Sequence, residues 1–160
     1  MKIARNFCCA LFALLAGCVT QLLPDDYQGQ TATLRDSYAN FHSGGLLGPD
    51  SAEFFVANEV DGKPINNALS QTDASNSGRG FGMTPVPYER RVPIRTMNVQ
   101  LYGIVHYAAP IAEMLSRTYE TRRQVSFTPE SGGRYVVRGK LGAQGSKLWI
   151  EKEDGTVVTH

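Results

Sequence analysis

Cysteine is scarce in this chain and gathered at one end. Three occur in 160 residues, Cys8, Cys9 and Cys18. A disulfide framework or a cysteine-based zinc site is therefore excluded from everything after position 18. Other ligand spacings are missing too. There is no His-x-x-x-His and no acidic calcium loop, so neither a metal nor a cofactor is expected. No Gly-x-Ser-x-Gly elbow marks a hydrolase nucleophile. No apolar run reaches the ~20 residues that a spanning helix needs. Charge of either sign is not in excess, at 16 basic against 15 acidic residues. That balance gives no footprint for a nucleic-acid partner. No internal repeat of about 20–50 residues is present.

What the chain has is a distinctive start. Lys2 and Arg5 precede an apolar stretch from Phe7 to Gly17, 11 residues long. As a helix it would cover roughly 16 Å, against about 30 Å for a bilayer core. A basic start, a short apolar core and small residues before a cut site describe a signal peptide.

The run Leu15-Ala16-Gly17-Cys18 at the end of that stretch resembles the lipobox of a bacterial lipoprotein precursor. The resemblance implies that residues 1–17 are removed and that the Cys18 sulfur takes a diacylglyceryl group. One acyl chain anchors marginally at ~0.8 kcal/mol per buried CH₂, while two or more anchor firmly. The resemblance also bears on sorting. Val19 stands where an Asp would signal retention in the inner membrane, so the expected location is the periplasmic face of the outer membrane, with the inner membrane as the alternative.

Cleavage leaves 143 of the 160 residues and removes Lys2 and Arg5, so 14 basic residues face 15 acidic ones. This is one domain's worth of chain, long enough to bury a core without staples. Residues 18–30 read as a lipidated tether and 31–160 as a single β-sandwich domain. Strands are expected at Thr31–Tyr38, Ala52–Val60, Val92–Val105, Arg123–Thr128, Arg134–Leu141 and Lys147–Lys152. The clearest alternation places Met97, Val99, Leu101 and Gly103 on one face. Asp61-Gly62 has the chemistry of a type I′ hairpin turn. Ile111, Met114 and Leu115 suit a short amphipathic helix over 110–119, the one helix expected. Residues 66–88 are polar and predict a long surface loop. The expected fold class is all-β: an antiparallel sandwich of the immunoglobulin or transthyretin kind.

Candidate chemistry is thin. His42, His106 and His160 read as ordinary surface or satisfied histidines. Gly78-Arg79-Gly80-Phe81-Gly82 lacks the strand before and helix after that a phosphate loop needs. Asp25-Asp26 and Glu151-Lys152-Glu153-Asp154 read as solvated turns. Two arginine pairs remain, Arg90-Arg91 and Arg122-Arg123. If strands bring them together, they form a contact for an anion, a headgroup or a partner. Trp149, Tyr135 and Tyr102 offer a binding face or, equally, core packing.

The segments Val60-Asp61-Gly62-Lys63-Pro64-Ile65, Arg91-Val92-Pro93, Gly132-Gly133-Arg134-Tyr135-Val136-Val137 and Leu148-Trp149-Ile150-Glu151 resemble small periplasmic β-sandwich lipoproteins of Proteobacteria, of PEGA-like or transthyretin-like pattern. That resemblance implies a fold rather than a reaction. The function expected is a binding or structural module of the cell envelope, tethered to the membrane by its lipid, not an enzyme, with an envelope protein as a candidate partner. The alternatives are an envelope hydrolase using Glu89 or His106, and a small-ligand sensor.

Overall fold

The computed structural model describes residues 20–46, 48–109 and 119–159. The lipobox with Cys18, His160 and the helix expected over 110–119, Tyr119 apart, lie outside them.

The described chain is an all-β sandwich of two sheets with one short helix. Its strands are β1 (Thr31–Arg35), β2 (Ser37–His42), β3 (Ser51–Val60), β4 (Lys63–Pro64), β5 (Glu89–Pro93), β6 (Met97–Tyr107), β7 (Glu120–Phe127), β8 (Arg134–Lys140) and β9 (Lys147–Lys152); α1 is Ala68–Asn76. One sheet runs β5-β1-β8-β9 and the other β2-β3-β6-β7, with β4 on β3. The pairing is antiparallel except that β1 and β8 run parallel. The sandwich is the expected one, and β1–β8 is a parallel pair within it. Parallel neighbours need a long crossover, and here the chain between β1 and β8 passes through the other sheet.

Two expected strands are each divided. Thr31–Tyr38 breaks at Asp36, where the chain leaves β1 for β2 in the facing sheet. Val92–Val105 breaks after Pro93, which closes edge strand β5. An edge is where a strand tolerates a residue without an N–H. The Asp61-Gly62 turn is as expected, with φ of 51° and 75°.

Between the sheets lie Leu34, Val92, Tyr135, Val137, Leu148 and Ile150 from one side and Phe55, Ala57, Val99, Leu101, Val125 and Phe127 from the other. A second cluster forms on the outer face of β3 and β6: Ala52, Phe54, Val56 and Tyr102, covered by Ala68 and Met83. Strand β3 is thus buried on both faces, which is why Phe54-Phe55-Val56-Ala57 is apolar without alternation.

The cover comes from the 66–88 stretch, so the surface-loop expectation needs correction: the stretch contains α1. Nothing amphipathic makes this helix. It is set by a capping box, in which Asn67 Oδ1 accepts the Ser70 N–H at 3.0 Å and Ser70 Oγ accepts the Asn67 N–H at 3.2 Å. Polar stitches then hold the returning chain. Thr72 Oγ1 accepts from Val86 N at 2.9 Å, and Asn76 Oδ1 accepts from Thr84 N at 2.9 Å.

Candidate functional site

Arg90 shares the inward phase of β5 with Val92 and pairs directly across from Leu34 of β1. Its side chain is 8% exposed and meets the Asp36 carboxylate, which is 0% exposed. Asp36 Oδ1 also accepts the Ala57 N–H of β3 at 3.0 Å, and Oδ2 accepts the Ala68 N–H at the start of α1 at 2.9 Å. One carboxylate thus joins both sheets and the helix. Burial pushes the Asp36 carboxyl above its ordinary range, against the opposing pull of the Arg90 guanidinium and of the two amides.

Arg90 is only partly satisfied. Its Nη2 binds Asp36, and its guanidinium carbon sits 5.1 Å from the centre of the Tyr88 ring. Its Nε and Nη1 are buried and have no acceptor among the described residues. A buried donor without an acceptor costs about 1–3 kcal/mol, and more when it belongs to a charged group. Such atoms are uncommon in native proteins and call for an explanation.

Arg90 also lines a cavity of about 530 Å³. Its walls are Tyr88–Arg91, Ile65 with Asn66, and the segment Thr20–Asp25. That last wall revises the expected tether. Thr20 N–H donates to Pro64 O of β4 at 2.9 Å, Leu23 is buried, and Leu22 packs against the core. From Thr20 to Asp25 the chain is seated on the domain. The two leucines explain it, since apolar surface left on a free spacer would face water. Of the two acids at the cavity, Asp25 accepts from Gln21 Nε2 at 2.6 Å and Glu89 lies 3.8 Å from Arg134.

The arginine pairs do not converge. Arg90 and Arg91 sit on β5, at one edge of their sheet, while β7, which carries Arg122 and Arg123, packs near β9 at the other edge. Arg91 is exposed and reaches Thr31 Oγ1 at 3.4 Å. Arg122 lies over the Tyr102 ring at 4.3 Å and 3.4 Å from Glu120. Arg123 Nη1 donates to Leu148 O at 2.8 Å and so closes the sandwich edge. The aromatic trio is dispersed as well. Tyr135 stacks edge-on against Phe127 inside the core at 4.9 Å, Tyr102 is in the outer cluster, and Trp149 donates to Glu151 at 2.8 Å.

A second cleft, of about 290 Å³, lies between the C-terminal half of α1, Gly78 and Gly80 of the glycine run, and the end of β6. His106 Nε2 lies 2.8 Å from Asp73 Oδ1 there. No group of three metal-ligating side chains occurs among the described residues.

The loops beside this cleft are held by Asp50. Its carboxylate accepts the Met83 N–H at 2.9 Å and the Gly44 N–H at 3.0 Å. The Met83 amide is the main reason its carboxyl is held below the ordinary 3.8. A depressed carboxyl adds stability that is complete above its unfolded value and is lost as pH falls through its folded value. Asp61 and Asp154 are lowered too, each mainly by a backbone amide, from Asn98 and Thr156. Asp36, raised, works in the opposite sense. The unfolding midpoint is therefore expected to drop below about pH 4, and Asp50→Ala to flatten that drop. Thermal melts of both proteins across pH 2–6 check this; parallel curves would refute it.

Comparison of the chain with protein-family models, with curated proteins and with solved structures finds no match to any of them.

Proposed function

We propose that this chain is a lipoprotein of a bacterial envelope, held by acylated Cys18 at the periplasmic face of the outer membrane, where its sandwich serves as a binding or structural module. The observation that carries the reading is the box Leu15-Ala16-Gly17-Cys18, which closes the 11-residue apolar stretch from Phe7 to Gly17 behind a basic start. On this reading, the segment seated from Thr20 leaves a short leash between the lipid site and the folded body. A second reading, an envelope hydrolase, draws on the His106–Asp73 pair in the smaller cleft. Loss of a hydrolytic activity in His106→Ala would favour it.

The test of the first reading is direct. Cells fed radiolabelled palmitate are expected to label the wild-type protein and to carry it in the outer-membrane fraction. Cys18→Ser is expected to abolish the label and to shift the protein out of that fraction. Unlabelled wild-type protein, or a serine variant that fractionates unchanged, sinks the proposal.

A further inference from the structure

Thr20 is pinned to β4 by its backbone, and only Val19 separates it from Cys18. At 3.3–3.6 Å per residue, two steps of chain reach about 7 Å. On the lipoprotein reading, which this inference rests on, the domain cannot stand off the bilayer. The surface around Thr20 must meet the headgroups, and the larger cavity lies beside it, with Thr20–Asp25 as one of its walls.

The cavity holds the groups a headgroup needs. Arg90 lines it, and the Nε and Nη1 of the same side chain are buried with no acceptor among the described residues. Arg91 lines it as an exposed cation. The carboxylates nearby do not answer Arg90: Asp25 is engaged by Gln21, and Glu89 lies toward Arg134. Asp36 occupies Nη2 alone. A phosphodiester supplies anionic oxygens to guanidinium donors through charge-assisted hydrogen bonds, and phosphates are what the membrane surface presents at this depth. We propose that the cavity between Thr20–Asp25 and Tyr88–Arg91 takes the phosphodiester of a membrane-lipid headgroup, with Arg90 and Arg91 as its cationic partners. The site seats the domain in a fixed orientation on the bilayer.

The experiment uses the mature acylated protein, its arginines labelled with ¹⁵N. It is reconstituted either in vesicles of phosphatidylethanolamine and phosphatidylglycerol or in vesicles of digalactosyldiacylglycerol, which carry no phosphate. Solid-state ¹⁵N–³¹P dephasing is then read at the Arg90 Nε resonance, assigned by its loss in Arg90→Lys. Dephasing is expected in the phospholipid and not in the galactolipid. Arg91→Gln, which leaves the Asp36–Arg90 pair intact, is expected to lower it. An acylated protein whose Arg90 Nε shows no dephasing in phospholipid overturns the site while leaving the lipoprotein reading standing. Equal dephasing in galactolipid vesicles given inorganic phosphate overturns the headgroup as its source. Absence of palmitate from the protein removes both readings.

Discussion

Replacing Asp36 with alanine is expected to cost about 3–5 kcal/mol, the range for breaking a buried ion pair from one side. The cost has three parts on one atom group. Arg90 is left as a charge with an 8% exposed side chain and no counterion. The Ala57 N–H of β3 loses its acceptor, and so does the Ala68 N–H at the start of α1. Against a typical total of about 5–15 kcal/mol for a native domain, this places the variant near the edge of folding. Asp36→Asn keeps an acceptor oxygen but loses the charge, and is expected to fall between the two. The instructive control is Asp36→Ala combined with Arg90→Leu. Removing both charges deletes the orphan, so the double variant is expected to be more stable than Asp36→Ala alone. Urea unfolding of the four proteins measures all of this. A single variant within about 1 kcal/mol of wild type, the net worth of one ordinary hydrogen bond, would falsify the hub assignment.

The same residue shows what the sequence made visible and what it hid. Ala32, Leu34 and Asp36 are buried at every second position. The alternation reads as one strand because Tyr38 keeps the even phase of Ala32 and Leu34 in the sequence, although in the fold it lies on the outer face against Phe54. The break after Pro93 did leave a mark, since the inward positions are even up to Val92 and odd from Met97 through Val99 and Leu101. The available signal was a carboxylate in phase with the inward face, matched by Arg90 in phase with Val92. Two buried opposite charges in apolar strands imply a partner for each. The turn at Asp61-Gly62 was legible because local chemistry decides it. Helix α1 was not, because its stripe is absent and its capping box is two residues, Asn67 and Ser70, inside a polar stretch. The indirect clue lay elsewhere: Phe54-Phe55-Val56-Ala57 puts apolar side chains on both faces of β3, so something had to cover the outer one. Arg90's cavity was hidden for another reason, since it exists only where Thr20–Asp25 folds back on β4 and β5.

The centre of the sandwich should be the least tolerant place in the molecule. Phe55 is 2% exposed and pairs across the strand with Gly103 of β6. Gly139 of β8 faces it from the other sheet: a Cβ built there would lie 2.3 Å from Phe55 Cδ1, 2.5 Å from Cε1 and 2.7 Å from Leu148 Cδ2. On Gly103 a Cβ would meet the same Leu148 methyl at 2.8 Å. The two glycines are bare so that one ring and one leucine can fill the space between sheets. Phe55→Ala is expected to cost about 3–5 kcal/mol through lost burial and the cavity left behind. Gly139→Ala is expected to cost about 1–3 kcal/mol by overpacking against a ring that Leu148 keeps from retreating. The two effects act on one volume with opposite sign. In the double variant the new methyl enters the space the ring vacates, so the combined loss should fall short of the sum by about 0.5–3 kcal/mol. Phe55→Leu gives a milder leg of the same cycle and keeps every member measurable in urea. Additivity within about 0.5 kcal/mol in both cycles would mean that the ring and the glycine do not share that space, and the packing described for the core would have to be redrawn.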